Sequence, residues 1–236
     1  MKNSPLISVV TTVYNTEKYV ERCFESVMNQ TYSNIEFIVV DNASSGNIKQ
    51  IVEEYKIAYP NRIIKILSFS ENQGVFNARI LGAQIATGDF ISFIDSDDRI
   101  SIDFYRALIT EAIQNKADIV ESNVVYEDQN GTLYYQNCNP FRDKIVLEKN
   151  EIFDSYLQQE GLMFSKNLIW NKIFSKKLWN IAIKDLCENT QKIVMYDDMA
   201  IMSVLYFYST KLLKNTYVQY YYYQNEEANS KGGSNP

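Results

Sequence analysis

Residues 90–98 read Phe90-Ile-Ser-Phe-Ile-Asp-Ser-Asp-Asp98, an apolar run that ends in three carboxylates within four positions. The apolar part is typical of a parallel strand that is covered on both faces. Like charges about 4 Å apart repel each other by roughly 4 kcal/mol at an effective dielectric constant near 20. The stretch therefore predicts a buried strand whose acidic end is either a solvated turn or the site of a positively charged group.

Strands and helices alternate on the amino-terminal side of this stretch. β-Branched and apolar runs predict strands, and apolar residues at helical spacing predict helices. The predicted strands are residues 7–14, 35–40, 62–69 and 90–94. The first predicted helix follows Asn15-Thr16, which can cap it, the second ends near Ala58, and the third spans residues 75–86. Such alternation implies right-handed crossovers and predicts a doubly wound, mostly parallel α/β sheet.

Polar clusters stand at the carboxyl ends of three predicted strands. They are Tyr14-Asn15, Asp41-Asn42 and Asp95-Ser-Asp-Asp98. Ligands of open α/β sheets bind beyond the carboxyl ends of the strands. The acidic end of the opening stretch is therefore predicted to form the floor of a cleft.

The pattern becomes less regular towards the carboxyl terminus. Its predicted elements are a helix at 103–116, a strand at 118–126, a hairpin turn at 128–131, a helix at 197–210 and a strand at 217–223. We expect residues 137–225 to pack on the α/β half, residues 1–136, because they contain too few regular periods for a core of their own. Residues 226–236 are polar and contain glycine, which predicts a flexible tail.

Composition excludes several kinds of site and partner. The 236 residues contain no histidine, so a general base must be a carboxylate, Lys, Tyr or Cys. The formal net charge of −6 argues against nucleic acid as a partner. Three cysteines without C-x-x-C spacing are typical of a reducing compartment, and Cys23 is expected as a buried residue of an apolar helix face. With no signal peptide and no transmembrane helix predicted, we expect a cytoplasmic protein.

The Asp-x-Asp of the opening stretch is a candidate metal site. Neither G-x-G-x-x-G nor the P-loop pattern occurs, so a phosphate would have to be held in another way. Carboxylate oxygens suit Mg²⁺ or Mn²⁺, which keep open positions for phosphate oxygens. An Asp-x-Asp alone is more commonly a solvated turn, but its place after a buried parallel strand favours a metal at Asp95 and Asp97.

Four stretches of the chain carry a resemblance to a known family. They are Val10-Thr-Thr-Val-Tyr-Asn15 with Tyr19 and Ser26-Val27-x-x-Gln30-Thr31-Tyr32, then Glu36-Phe-Ile-Val-Val-Asp41, then Glu71-Asn72-x-Gly74 with Ala78-Arg79, Ala86-Thr-Gly88 and Phe93-Ile-Asp-Ser-Asp-Asp98, and last Trp170-Asn-Lys172 with Asp197-Asp198. Each piece is short, but their order and spacing together are specific. From Ile7 to about Tyr223, the chain resembles the family 2 glycosyltransferases, nucleotide-sugar-dependent enzymes with the GT-A fold.

The resemblance implies an inverting enzyme that moves a sugar from a UDP-sugar to an acceptor hydroxyl. Single addition is implied, because the paired Gln and Trp signature of processive members is absent. Mn²⁺ or Mg²⁺ at Asp95 and Asp97 would neutralise the leaving diphosphate. Residues 1–136 would bind the nucleotide sugar and residues 137–225 would form the acceptor side. The implied acceptor is a bacterial-type surface glycan, free or lipid-linked, and a lipid-linked acceptor would bring the enzyme to the inner face of the membrane.

The resemblance also assigns nucleotide contacts. Uracil would lie near Thr12 and Tyr14, with Asp41 accepting a hydrogen bond from its ring N–H, and Asp95 would also face the nucleotide. Asn72 and Arg79 would add polar contacts. The alternative for Arg79 is a buried ion pair that holds its helix to the sheet.

Asp197 and Asp198 are the predicted catalytic residues. The resemblance places the base at the second member of this acidic pair, Asp198, and leaves Asp197 as a helix cap or acceptor contact. Both stand at the start of a predicted helix, where capping is a routine role of Asp. The helix macrodipole there stabilises an ionised carboxylate, so we expect a base that is deprotonated at pH 7.

Two other functions stay open from the sequence. Asp41-Asn-Ala-Ser44 differs from the family's usual Asp-Asp-Gly-Ser, which is compatible with a nucleotide-sugar-binding module without catalysis. Phosphatases with an Asp nucleophile also carry Asp-x-Asp after a strand, although they place it on the first strand and prefer Thr or Val where this chain has Arg99.

Two groups of residues also have ordinary structural interpretations. Tyr220–Tyr223 is predicted as a strand that buries half of its tyrosines, with sugar stacking as the alternative. Lys172, Lys176 and Lys177 are expected either at a phosphate or on a solvated face.

Overall fold

The computed structural model describes residues 4–135, 145–158, 167–189 and 197–225, and these residues form a ten-stranded sheet with its helices. The elements in chain order are β1 (Ile7–Val13), α1 (Glu17–Met28), β2 (Ile35–Asp41), α2 (Ile48–Ala58), β3 (Ile63–Ser68), α3 (Val75–Gln84), β4 (Phe90–Phe93), β5 (Arg99–Ile100), α4 (Phe104–Asn115), β6 (Ile119–Glu127), β7 (Leu133–Tyr134), β8 (Ile145–Glu148), α5 (Asn150–Gln158), β9 (Lys172–Ser175), α6 (Lys176–Asn189), α7 (Asp197–Tyr208) and β10 (Lys211–Tyr223). None of the helices in these ranges is long and apolar enough to cross a membrane.

The sheet has the strand order β3-β2-β1-β4-β9-β6-β10-β5, with β7 beside β6 and β8 beside β10. Strands β3, β2, β1 and β4 are parallel to one another, as the alternation of strands and helices predicts. Strand β9 is antiparallel to both of its neighbours, β4 and β6, and β10 is parallel to β6. The α/β prediction is therefore confirmed, and the sheet becomes mixed where β9 enters it.

Predictions for the first half of the chain are confirmed in detail. The predicted helices and strands up to β6 are present, and their predicted ends differ from the observed ones by at most two residues. The predicted turn at Asp128–Gly131 connects β6 to the antiparallel β7. Its Asp128 carboxylate accepts hydrogen bonds from the backbone N–H groups of Asn130 and Thr132. Local periodicity and turn chemistry are sufficient in this half because each element is long and regular.

The later half contains regular structure that its sequence pattern does not predict. Strands β8 and β9 and helices α5 and α6 lie where we expected irregular chain, and β10 begins six residues before the predicted strand. Strand β9 has only four residues and starts with a lysine, yet it lies between β4 and β6 in the middle of the sheet. Its partners are distant in sequence, so no local period reveals it. The predicted tail at 226–236 and residues 137–144 fall outside the described residues.

Glu36 links neighbouring strands of the sheet. It lies at the end of the sheet opposite the carboxyl ends of β1 and β4. Its buried carboxylate accepts hydrogen bonds from the Ser8 hydroxyl, from the backbone N–H and hydroxyl of Thr87, and from the Gly88 N–H, and it lies 2.6 Å from the Lys65 ammonium. Burial alone would raise the pKa of Glu36, but the bonds from Lys65, Ser8 and Thr87 outweigh it and lower the pKa to about 2. Glu36 thereby anchors the turn that leads into β4.

Glu36→Gln should reduce the free energy of unfolding by about 2–4 kcal/mol at pH 7, because an amide cannot accept all of these bonds. The lowered pKa means that the carboxylate contributes fully above its ordinary value of 4.5 and loses this contribution as the pH falls towards about 2. The deficit measured by urea denaturation should therefore shrink in acid. Glu53→Gln, which removes an exposed pair with Lys56, is the control and should cost less than about 1 kcal/mol. A deficit independent of pH would contradict this account.

Candidate active site

A cleft of about 420 Å³ opens at the carboxyl ends of β1 and β4. The predicted site residues that line it are Thr12, Tyr14, Arg79, Asp95, Asp97, Asp197 and Asp198. They come from two strand ends and from helices α3 and α7, which the fold brings to one edge of the sheet. The structure thus places most of the predicted residues together, around a single cavity.

Asp41 and Asn72 lie outside the lining of this cleft. Asp41 ends β2, is almost fully buried, and accepts a hydrogen bond from the backbone N–H of Ser44 at 3.0 Å. The Asn72 side chain accepts from the side chain of Asn42 at 2.9 Å and from the backbone N–H of Gly74 at 2.8 Å. Both residues shape the loops beside the cleft, and their contact with a nucleotide stays a prediction.

The Arg79 guanidinium occupies the centre of the acidic side chains. Its Nη2 is 2.9 Å from Oδ1 of Asp95, its Nη1 is 2.6 Å from Oδ2 of Asp197, and Nη1 also contacts Oδ1 of Asp198. Burial alone would lower the pKa of Arg79, but the three carboxylates raise it above its ordinary value. Arg79 therefore forms a buried ion cluster that joins α3 to the end of β4, and also to α7, and its contact with a nucleotide stays a prediction.

Asp98 fastens the acidic loop to β10. Its fully buried carboxylate accepts from the Tyr220 hydroxyl and from the Tyr223 backbone N–H, both at 2.7 Å. The same Tyr220 oxygen accepts from the backbone N–H of Asp95 at 3.0 Å. Burial and the neighbouring carboxylates of Asp97 and Asp95 raise the pKa of Asp98. Asp98 therefore orients the loop and leaves Asp95 and Asp97 to face the cleft.

Asp95 and Asp97 fit a divalent cation. Burial, and then the adjacent charge of Asp95, raise the pKa of Asp97 to about 6, so the protein itself leaves Asp97 poorly neutralised, whereas Asp95 pairs with Arg79. Within the described ranges, no group of three or more Cys, Asp or Glu side chains is arranged to hold a metal. A cation would therefore take these two carboxylates and keep its other positions for phosphate oxygens and water, as Mg²⁺ commonly does.

Asp197 and Asp198 form the start of α7 and are partly exposed to the cleft. Burial is the largest effect on the pKa of Asp198, which is raised to about 7. The carboxylates of Asp197 and Asp95 also raise this pKa, whereas Arg79 and the backbone N–H of Ile169 lower it. The expectation of a base that is deprotonated at pH 7 is therefore corrected, because burial raises the pKa of Asp198. A carboxyl group with a pKa near 7 is well matched to proton transfer at neutral pH.

A comparison with known protein families identifies the family of this chain. The model of the family described as "Glycosyl transferase family 2" matches residues 8–202 of the 236. The chain belongs to glycosyl transferase family 2. Its matched region includes every predicted site residue.

Curated relatives of this family 2 chain are longer than the chain itself. It is 31% identical over 175 residues to the glycosyltransferase GlyA of Streptococcus pneumoniae, covering 73% of this chain and 25% of GlyA. It is 36% identical over 185 residues to the uncharacterized glycosyltransferase EpsJ of Bacillus subtilis, covering 75% of this chain and 50% of EpsJ. The chain thus spans a quarter to a half of the length of these relatives.

Solved structures show the same fold. The crystal structure of S. aureus TarS 1-349 in complex with UDP-GlcNAc superimposes on this chain with a TM-score of 0.76. The superposition covers 98% of this chain and 62% of the TarS chain. The sequences are 21% identical, so the likeness concerns the fold. The predicted GT-A-like class is confirmed on this ground.

Several residues of the cleft escaped the sequence analysis. The Thr16 hydroxyl was expected to cap α1, but it pairs with the Ser96 hydroxyl at 2.7 Å and makes no cap bond. The Asn225 amide lies 3.4 Å from the Asp97 carboxylate and accepts from the Tyr19 hydroxyl at 3.3 Å. Asn225 is 128 positions from Asp97, so nothing local indicates this contact.

The expectation for Lys172 was wrong. Its side chain is fully buried in β9, and its ammonium donates to the Leu168 carbonyl at 2.7 Å and to Oδ1 of Asn171 at 2.6 Å. It therefore lies neither at a phosphate nor on a solvated face. The prediction failed because β9 itself was not recognised as a strand of the sheet.

Arg79→Met should lower the free energy of unfolding by about 3–5 kcal/mol at pH 8, because it leaves three neighbouring carboxylates without their counter-charge. The loss should be smaller at pH 5, where Asp198, with its pKa raised to about 7 in the unaltered protein, takes up a proton. Chemical denaturation at the two pH values checks this. Arg106→Met, which removes an exposed arginine 3.8 Å from Asp103, is the control and should cost under about 1 kcal/mol at both. Equal losses for Arg79→Met at the two pH values would indicate a packing role alone.

Proposed function

We propose that this family 2 chain carries the donor-binding and catalytic part of an inverting glycosyltransferase. It would move a sugar from a UDP-sugar to an acceptor hydroxyl, one addition at a time. The observation that carries the proposal is the meeting of two acidic groups, Asp95 with Asp97 and Asp197 with Asp198, in one cleft around Arg79. Membership of the family supports sugar transfer, and the TarS complex with UDP-GlcNAc supports a UDP-sugar as donor.

The charge of the cleft supports a metal-dependent donor site. Four aspartates and one arginine line it among the described residues, so a bare diphosphate would be repelled. Mn²⁺ or Mg²⁺ held by Asp95 and Asp97 would neutralise the diphosphate as it leaves. The uracil base would lie at the end of β1 near Thr12 and Tyr14, and Tyr14 is 39% exposed. Asp41 and Asn72 would complete the base site from the neighbouring loops.

Asp198 is the proposed general base. As the acceptor oxygen attacks the anomeric carbon, its proton passes to the Asp198 carboxylate and the bond from that carbon to the diphosphate breaks. Attack from the face opposite the leaving group inverts the configuration. Arg79 holds Asp198 and Asp197 beside Asp95, so the base keeps its position relative to the donor site. Asp197 would contact the acceptor.

The proposed acceptor is a surface glycan of the bacterial type, free or lipid-linked. A lipid-linked acceptor would bring a cytoplasmic enzyme to the inner face of the membrane. The acceptor side would be built from residues 137–225, which supply β9, β10 and α7 to the cleft half of the sheet.

One experiment tests the proposal as a whole. The protein is incubated with Mn²⁺ and a panel of UDP- and GDP-sugars, and donor hydrolysis is followed with and without acceptor. Hydrolysis of one UDP-sugar is expected. Binding of UDP without hydrolysis or transfer would favour a binding module, and release of phosphate from small phosphoesters without a sugar donor would favour a phosphatase.

Asp97→Asn should weaken UDP binding at least about tenfold in Mn²⁺ and leave it nearly unchanged in EDTA, because the lost carboxylate acts on the nucleotide through the metal. Calorimetric titration of UDP under both conditions measures the difference. Asp103→Asn, an exposed carboxylate at the start of α4, is the control and should bind UDP normally. If Asp97→Asn weakened UDP binding equally with and without metal, the proposed role of Asp97 as a metal ligand would be wrong.

Asp198→Asn should lower the transfer rate by a factor on the order of 10²–10⁴ while UDP affinity stays nearly intact, because the amide keeps the size of the side chain and loses its basicity. Steady-state kinetics of Asp198→Asn and of Asp197→Asn, each beside UDP titration, distinguish the two residues. Normal turnover of Asp198→Asn with loss in Asp197→Asn would mean that the roles are reversed. Normal turnover of both would place the base elsewhere.

A further inference from the structure

The acidic loop that follows β4, residues 95–98, is a tight turn that is closed twice. The backbone N–H of Asp98 donates to the carbonyl of Asp95 at 3.1 Å, as in a β-turn. The Tyr220 hydroxyl spans the same two residues, because it accepts from the backbone N–H of Asp95 at 3.0 Å and donates to the Asp98 carboxylate at 2.7 Å. One side chain of β10 therefore joins the first and the last residue of the turn.

The Tyr220 ring is held from several sides. It is fully buried, and its backbone in β10 pairs with Val124 of β6 on one side and with Ile100 of β5 on the other. The ring stacks on Trp170, with centroids 4.2 Å apart and planes at 29°, and it meets the edge of Phe104 at 6.4 Å. A ring fixed in this way leaves its hydroxyl oxygen one place, between the two ends of the turn.

The two carboxylates that face the cleft are held in different ways. Asp95 is fixed by the Arg79 guanidinium at 2.9 Å. The contact of Asp97 with the Asn225 amide is 3.4 Å, which is long for a hydrogen bond. Asp97 is thus held chiefly through the turn that carries it. The spacing between the Asp95 and Asp97 carboxylates therefore depends on the geometry of the turn, which Tyr220 closes.

A second buried tyrosine provides a contrast. Tyr105 on α4 is also fully buried, and its hydroxyl lies 3.4 Å from the Ser92 hydroxyl. A buried hydroxyl needs a partner to offset its lost hydration. Tyr220 has two closer partners, and both belong to the turn that carries Asp97. Satisfying a buried hydroxyl therefore does not account for the bridge that Tyr220 makes.

We propose that Tyr220 is a positioning residue for the divalent cation, whose hydroxyl fixes the turn so that Asp95 and Asp97 present their oxygens at one spacing. This role rests on the proposed function, because it takes these two carboxylates as ligands of the cation. Mg²⁺ bonds its oxygen ligands at about 2.1 Å and demands near-octahedral geometry. Residues that orient the ligands of a metal typically contribute about 10–100-fold to its affinity. Without the bridge, binding of the cation would also have to order the turn.

The test removes one oxygen atom. Tyr220→Phe keeps the buried ring and deletes the bridge. It should weaken UDP binding at least about tenfold in Mn²⁺ and change it less than about two-fold in EDTA, where no cation needs the two carboxylates. Calorimetric titration of the full chain with UDP measures both affinities. Loss of the electron paramagnetic resonance signal of free Mn²⁺ in the presence of UDP measures binding of the cation itself. An affinity for UDP in Mn²⁺ that stays within about two-fold would overturn the inference.

Tyr105→Phe is the matched control. It deletes the hydroxyl of an equally buried tyrosine, one that bonds Ser92 instead of the acidic loop. It should change UDP affinity less than about two-fold in Mn²⁺ and in EDTA. Equal losses of affinity for Tyr105→Phe and Tyr220→Phe in Mn²⁺ would mean a general loosening of the core and would overturn the inference.

A double-mutant cycle with Asp97→Asn separates positioning from general damage. If Tyr220 acts through the ligands of the cation, Tyr220→Phe should weaken UDP binding in Mn²⁺ by less than about two-fold once Asp97 is already Asn. A loss of about tenfold in both backgrounds would overturn the positioning role. Normal Mn²⁺ binding by Asp97→Asn alone would instead refute the metal site of the proposed function. Weak binding by Asp97→Asn with normal binding by Tyr220→Phe would overturn this inference alone.

A second variant guards against misfolding. Tyr220→Phe takes a donor from the buried Asp98 carboxylate, so its thermal unfolding is measured before its binding. In the full chain, Tyr220 is also replaced by 4-aminophenylalanine, which keeps a donor for Asp98 but whose nitrogen is a poor acceptor for the N–H of Asp95. This variant should also bind UDP at least about tenfold more weakly in Mn²⁺ and normally in EDTA. Unchanged affinity in Mn²⁺ would overturn the inference even if Tyr220→Phe did not fold.

Discussion

The cleft depends on one guanidinium placed among three carboxylates. Asp95 follows β4, and Asp197 and Asp198 begin α7, about a hundred positions further along the chain. Without a positive charge between them these side chains would repel one another and separate the helix from the strand end. The buried Arg79 on α3 contacts all three, so the same interaction that brings α3, β4 and α7 together also sets the distance between the donor side and the base.

The acidic loop shows a conflict between stability and function. Burial and mutual repulsion raise the pKa values of Asp97 and Asp98, so each ionised carboxylate weakens the folded state. Asp98 is held by two hydrogen bonds from β10, which keep the loop in place despite this cost. Asp97 lacks comparable compensation and faces the cleft. Perturbed carboxylates of this kind concentrate at functional sites, where the missing counter-charge comes with a ligand.

Regular local patterns made the first half of the fold predictable. Strands β1, β2 and β4 are apolar runs of ordinary length, and each is followed by a helix or a turn with recognisable chemistry. Strand β9 has four residues, one of them a buried lysine, and its place in the sheet follows from pairing with β4 and β6, which lie far away in the sequence. Long-range pairing leaves no local period, and this is why β9 and the burial of Lys172 were missed.

The sequence by itself determined which side chains could do chemistry. Without histidine, the reactive groups had to be carboxylates, and the strand ends indicated where Asp95 and Asp97 would stand. Only the tertiary structure decided the state of those groups. The ion cluster of Arg79, the contact of Asn225 with Asp97, and a pKa of Asp198 near 7 instead of full ionisation depend on burial and on neighbours from distant segments. Charge and spacing are local properties of a chain, whereas hydration and the distance between remote carboxylates exist only once the chain is folded.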